Sequence, residues 1–334
     1  MRIKPHKKTR KGCYCCKRRR VKCDEAKPSC SNCQDREEAC HYPYQKSEPV
    51  SLNEKRQLEL RLSHQWCTET CRSFTSQQTV LLRDHAIEQA QSHVFLMDAI
   101  FALSAAHLAS KTTAAPKALL QASLRYHTDA VSALQAAVES SNLEAVFLAS
   151  ILTMATSVVL PLLHGESAAQ CLLHIQGFLK GVWTIIDLNP DAFLNGPCAS
   201  MFGQTSAQEC VASVEDLEAM RRLRELRELQ AGDQTYDRTI DELELCFTRN
   251  RKRAISWVKK TWPGFIDAVC NHEPFALLVL LHWAVALCGL EEMWWAKYAG
   301  QALVEELANV GLESQGEEWA AAVSWAKDQA AQTA

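Results

Sequence analysis

Six cysteines at fixed intervals carry the chemistry of this sequence: Cys13-x2-Cys16-x6-Cys23-x6-Cys30-x2-Cys33-x6-Cys40. The pattern is one C-x2-C-x6-C unit written twice. A C-x2-C turn lets two thiolates reach the same tetrahedral ion at about 2.3 Å, and the x6 interval leaves room for a short helix before a third thiolate returns. Three ligands per unit leave each ion one short of four. Two zinc ions need eight contacts and six sulfurs offer six, so two sulfurs must bridge and the expected product is one binuclear cluster. With 15 cysteines in 334 residues, six fixed positions coincide by chance with a probability on the order of 10⁻⁸ per starting point. Cys15 falls outside the spacing and reads as a spare thiol.

The segment around these cysteines holds little that is apolar beyond Val21, Ala26 and Ala39. Such a segment cannot bury a sufficient core, so its folding is expected to depend on the metal, which supplies on the order of 10 kcal/mol. Between Cys16 and Cys23 lie Lys17, Arg18, Arg19, Arg20 and Lys22, five cations in six positions on the expected first helix. A helix that crowds like charges needs a counter-charge. DNA phosphate supplies one, and arginine also suits a bidentate contact to guanine. A nuclear import signal is the blander use of the same run.

The net charge of −3 is a sum of opposites. Residues 1–46 hold 14 Lys+Arg against 5 Asp+Glu, a formal +9; the remainder holds 22 against 34, a formal −12. A basic head on an acidic body points to a polyanion contacted by the head alone. The N-terminal MRIKPHKKTRKG has no apolar run behind its charges, which argues against a secretory leader and a disulfide framework. Collagenous, low-complexity and wholly disordered classes are excluded by 47% hydrophobic and 22% charged residues. The uncharged stretches Ala145–Leu163 and Phe275–Leu290 read as buried core helices rather than membrane spans.

Residues 13–40, with every ligand interval, the basic run and Pro28 between the units, resemble the fungal Zn2Cys6 transcription factors. In that family Cys13 and Cys30 would be the bridging ligands. Arg19 and Arg20 would read bases over a CG-rich triplet, and Lys17 and Lys22 would lie near phosphates. HKKTRKGCYCCKRRRVKCDEAKPSCSNC, QLELRLSHQWCTETCRSF and FLMDAIFALSAAHLAS are further similar to the sterol uptake control subgroup. The resemblance implies a nuclear protein whose C-terminal domain is an all-α regulatory module able to bind sterol.

The expected fold is therefore a small zinc-stabilised binuclear cluster domain followed by an all-α regulatory domain. The expected division is a basic arm and cluster over 1–46, a linker over 47–56, and the helical domain over 57–334. Candidate helices are Ala86–Ala109, Pro116–Ser140, Leu143–Leu160, Ser167–Asp187, Val214–Gln230, Tyr236–Lys259, Phe275–Leu290 and Glu291–Val310, with Leu188–Cys210 as loop. Leu52, Leu58, Leu60 and Leu62 do not sustain heptads, so a coiled coil next to the cluster is not expected. The stripe Leu217, Met220, Leu223, Leu226, Leu229 docks on the body or forms a dimer seam. His64, Cys67 and Cys71 share one helix face, and His164, Cys171 and His174 lie close in sequence; both sets read as ordinary packing. Seven of nine tryptophans, from Trp257 to Trp325, fill a core or line an apolar cavity.

No phosphate loop, nucleophile elbow or H-E-x-x-H helix occurs, so an enzyme is not expected. The residues point to a sequence-specific regulator of RNA polymerase II genes in a fungal nucleus, carrying two Zn2+ and binding double-stranded DNA with CGG-like half-sites. A homodimer through the helical domain and an apolar small-molecule ligand are further partners consistent with it, and no membrane is expected. Its genes would belong to a secondary-metabolite cluster, or alternatively to sterol uptake and synthesis. A zinc-dependent protein or RNA adaptor is the remote competitor.

Overall fold

The computed structural model describes the chain except for residues 1–11, 20, 27–28, 37, 39, 41–51, 75, 113–115, 138–141, 170–180, 202–211, 230–234, 262 and 334. The chain divides into two compact units, Met1–Leu58 and Glu59–Ala334. Among the described residues no strand occurs. The first unit is built on two short helices, α1 (Tyr14–Arg19) and α2 (Ser31–Gln34), one in each cysteine repeat. α3 (Leu52–Thr68) begins inside the expected linker.

The second unit is helical: α4 (Ala86–Ala90), α5 (Val94–Ser110), α6 (Lys117–Ala137), α7 (Leu143–Leu163), α8 (181–188), α9 (Pro190–Asn195), α10 (Val214–Glu228), α11 (Thr235–Thr248), α12 (Arg253–Lys260), α13 (Pro263–Cys270), α14 (Pro274–Cys288), α15 (Trp294–Leu307) and α16 (Glu317–Gln332). α7 is long and apolar enough to cross a bilayer, yet it packs against α5, α6 and α15 and most of its side chains are buried. Its buried hydroxyls stay satisfied: Ser150, Thr153 and Thr156 each donate to the carbonyl four residues back, at 2.7, 2.9 and 2.9 Å. Every residue of α14 from Phe275 to Cys288 is buried.

α14 and α15 approach backbone to backbone. A Cβ at Gly300 would lie 2.7 Å from the Ala284 carbonyl oxygen and 2.8 Å from the Cys288 nitrogen. α15 is also tied to the segment after α3, because the indole nitrogens of Trp294 and Trp295 donate to Ser73 Oγ and Ser73 O at 2.7 and 3.0 Å. Beside them the His107 ring stacks on Trp294 at 4.3 Å and meets Thr70 Oγ1 at 2.9 Å. Burial lowers the pKa of His107 to about 4.

The leucine stripe of α10 docks inward: Met220, Leu223 and Leu226 are buried, while Leu217 and Leu229 stay exposed. The stripe is flanked by ion pairs to the neighbouring helices, with Arg222 reaching Glu318 on α16 at 2.8 Å and Arg227 reaching Asp237 on α11 at 3.1 Å.

Several expectations are corrected. Ala86–Ala109 is two helices, because the chain turns over Gln91–His93. Tyr236–Lys259 is likewise divided by a turn before α12. Leu188–Cys210 is not all loop, since α9 and a 3-10 turn at Pro197–Met201 lie in it. α13 and α16 were not anticipated.

Candidate metal centre and nucleic-acid interface

Each C-x2-C pair opens a helical turn. Lys17 N–H donates to the Cys13 carbonyl at 3.0 Å to begin α1, and Val21 N–H closes it on the Cys16 carbonyl at 3.0 Å. In the second repeat, Cys33 and Gln34 N–H both reach the Cys30 carbonyl at 2.9 Å. The first cysteine of each pair thus precedes a helix and the second lies within it. Both sulfurs face the same side, and Cys13, Cys16, Cys23, Cys30 and Cys33 are buried around one another.

The sulfurs form two overlapping sets. Those of Cys13, Cys16, Cys23 and Cys30 lie within 4.8 Å of one another, and so do those of Cys13, Cys30, Cys33 and Cys40. Cys13 and Cys30 belong to both. A tetrahedral ion bound at about 2.3 Å by four sulfurs requires sulfur–sulfur edges of about 3.8 Å. The Cys13–Cys30, Cys13–Cys33 and Cys16–Cys30 pairs stand at 3.8, 3.6 and 3.6 Å. A disulfide needs about 2.05 Å, and none of the six cysteines forms one.

Backbone amides point at the sulfurs. Cys16 N–H reaches Cys13 Sγ at 3.3 Å, Glu25 N–H reaches Cys23 Sγ at 3.4 Å, and Cys30 N–H reaches Cys40 Sγ at 3.3 Å. The last bond lowers the Cys40 thiol to about 7. Burial works the other way, raising Cys16 and Cys30 and pushing Cys33 up to about 12. Crowded, desolvated thiolates of this kind are stable only with cations among them. Geometry and donor chemistry therefore both fit two zinc ions, and the six-cysteine cluster binds two. When bound, the ions supply the cross-links that a hydrophobic core would otherwise provide.

The two repeats are also stapled by polar contacts that sequence reasoning missed. Asp24 Oδ2 accepts from Ser31 N–H at 3.1 Å and Ser31 Oγ at 2.5 Å, which holds the Asp24 carboxyl below its usual range. Asn32 Nδ2 donates to the Lys22 carbonyl at 2.9 Å. Their only signal is a polar residue next to a ligand cysteine.

The cations divide. Lys17, Arg18 and Lys22 are exposed, as are Tyr14 and Val21 beside them. Arg19 is turned inward, with its guanidinium on Cys15 O, Asn32 O, Cys33 Sγ and Glu38. Arg20, Pro28 and the arm before residue 12 lie outside the described residues. Cys15 packs against the cluster but belongs to neither sulfur set. Among the described residues no other group of three or more metal-ligating side chains forms; His64, Cys67 and Cys71 do not gather into one. Cys171 and His174 lie outside the described residues.

Comparison with known proteins agrees with this geometry. Residues 11–49 match the fungal Zn(2)-Cys(6) binuclear cluster domain, and residues 61–208 match the fungal specific transcription factor domain. A sterol uptake control protein 2 of Candida albicans is 46% identical over 55 residues, which is 16% of this chain and 8% of that protein. A sterol uptake control protein 2 of Saccharomyces cerevisiae is 54% identical over 37 residues, 11% of this chain and 4% of its own. A Zn(2)-C6 fungal-type transcription factor of Aspergillus fumigatus is 29% identical over 124 residues, 31% of this chain and 33% of its own. The chain thus spans a third or less of the length of each of these relatives. Both matched domains are those of transcription factors, a non-enzymatic class. The double sulfur set and the two domains, which together cover more than half the sequence, place the chain in the fungal Zn2Cys6 transcription factor family.

Proposed function

We propose that the protein is a nuclear, sequence-specific DNA-binding regulator of RNA polymerase II genes. Cys13, Cys16, Cys23, Cys30, Cys33 and Cys40 hold two zinc ions, with Cys13 and Cys30 shared. The ions fix α1 and the residues that follow it, which present Lys17, Arg18 and Lys22 to a duplex with CGG-like half-sites; Arg19 and Arg20 are the remaining cations of the run. The observation that carries this reading is the pair of overlapping sulfur sets directly beside exposed cations. The helical unit, expected to act as the regulatory module and to make any homodimer, has its own apolar core.

The gene set is proposed to be one secondary-metabolite pathway rather than sterol homeostasis. The relatives named for sterol uptake match only 16% and 11% of this chain, too little to carry the sterol reading over to it. The tryptophan-rich body also supports a packed interior. The cavity beside Trp257, Phe265 and Trp283 measures about 10 Å³, as does the one beside Met154, Trp283 and Trp295. Each has room for about one water, so neither of these two cavities could admit a sterol without displacing packed side chains.

The test uses the zinc-loaded full chain with labelled duplexes carrying CGG triplets, scrambled duplexes and single-stranded RNA at matched salt. The reading expects preference for CGG and a log–log salt slope of about −3 or steeper, from at least three phosphate-facing cations. Equal retention on scrambled duplex would refute sequence-specific reading, and preference for RNA would favour an adaptor.

A further inference from the structure

We infer that Arg19 is a positioning residue of the zinc cluster, a cation that clamps the second cysteine repeat onto α1, and that it does not contact DNA. The inference rests on the metal-site reading above and concerns how that site is held.

Helical spacing sets the direction of the side chain. Arg19 follows Cys15 by four residues and Cys16 by three, so it lies on the face of α1 that looks at the sulfurs. Its side chain is only 19% exposed, while Lys17 and Arg18 project into solvent. The guanidinium makes contacts on both repeats. Nε donates to the Cys15 carbonyl at 3.3 Å within its own helix. Nη2 donates to the Asn32 carbonyl at 3.3 Å and to Cys33 Sγ at 3.4 Å, both on α2, and lies 4.0 Å from Cys16 Sγ. Nη1 stands 3.3 Å from Glu38 Oε2, beyond α2. One planar group thus meets the first helix, the second helix, a sulfur of the second set and the chain that leads to Cys40.

The chemistry favours this placement. Two divalent ions against six thiolates leave a residual charge of about −2. A nearby cation lowers the cost of holding that charge in a desolvated site. Arginine suits the task better than lysine, because its rigid fork serves several acceptors at once and is weakly hydrated. A guanidinium engaged on Asn32, Cys33 and Glu38 cannot also face a base edge without releasing them.

The test compares Arg19→Gln, Arg19→Lys and Arg18→Gln in the zinc-loaded full chain, with tryptophan fluorescence confirming an intact helical unit. Zinc transfer to a colorimetric chelator is timed, and duplex binding is titrated with salt while zinc is held in excess. Loss of an outer partner of a metal ligand costs about 10- to 100-fold in metal retention. Arg19→Gln should therefore release zinc at least about tenfold faster, with Arg19→Lys in between. Arg18→Gln should release zinc at the parental rate. With zinc in excess, Arg18→Gln should lower the salt slope by about one, and Arg19→Gln should leave it unchanged. Parental zinc release from Arg19→Gln, or a salt slope reduced as in Arg18→Gln, would overturn the clamp. A parental chain that retains no zinc would overturn the metal-site reading itself, and the clamp with it.

Discussion

The two sulfur sets are not interchangeable under mutation. Cys40 belongs to one set and Cys30 to both. Cys40→Ala leaves Cys13, Cys16, Cys23 and Cys30 as a complete tetrad, whereas Cys30→Ala leaves two sets of three. A structural zinc site contributes about 10–16 kcal/mol. If its four ligands share that equally, losing one costs about 3 kcal/mol, or roughly 100-fold in affinity. In a zinc buffer poised about tenfold above the parental dissociation constant, the parental chain should hold about two ions. Cys40→Ala and Cys23→Ala should hold about one, and Cys30→Ala and Cys13→Ala close to none. Cys15→Ala, outside both sets, should match the parent. Metal content after gel filtration, read by inductively coupled plasma mass spectrometry, decides the matter. Equal retention by Cys30→Ala and Cys40→Ala would show that no sulfur is shared and would refute the binuclear arrangement.

Two further predictions concern the helical unit. Gly300→Ala should destabilise it by about 1–3 kcal/mol, because the new methyl would meet the α14 backbone at 2.7 Å; a melting temperature within about 1 °C of the parent would show that α15 can move away. Stability should also fall between pH 6.5 and about 4, because burial holds His107 and His282 at about 4 while the unfolded chain takes up protons near the ordinary value of 6.5. The folded pKa values are the depressed ones, so the contribution is full above 6.5 and lost on acidification, by up to about 3 kcal/mol for each imidazole. Thermal melts unchanged from pH 7 to pH 5 would show that these rings are not shielded from water.

The cluster was legible in the sequence because its information is local. Each C-x2-C turn and x6 return is set by a few bonds of chain, and counting sulfurs against coordination number requires sharing before any fold is known. Arg19 was not legible as a clamp. Its partners Asn32, Cys33 and Glu38 lie 13 to 19 positions away, and nothing in KRRRVK distinguishes an inward arginine from an outward one except the helical phase relative to Cys15 and Cys16. The α10 stripe could have served two purposes by pattern alone. Docking won because Arg222 and Arg227 on that helix find Glu318 and Asp237 on its neighbours. The break at Gln91–His93 was hidden because Ala86–Ala109 keeps an apolar pattern straight through it. α16 was hidden because alanines occur off its buried face as well as on it, which blurs the helical spacing of Trp319, Ala322, Val323 and Ala326.

The two units also differ in what replaces water at their centres. In the helical unit the core is made of Leu, Val, Phe and Trp on helices that cover one another, as in α14, buried from Phe275 to Cys288. In the first unit the buried side chains are the cysteines themselves. Their burial raises the pKa of Cys16, Cys30 and Cys33, so the thiolates are held only if cations join them. The force that closes the head is thus also the force that orients α1, and no apolar core could hold it together if the ions left. A regulator built this way separates its labours: the body is held by its own apolar packing, while six sulfurs set where Lys17, Arg18 and Lys22 point.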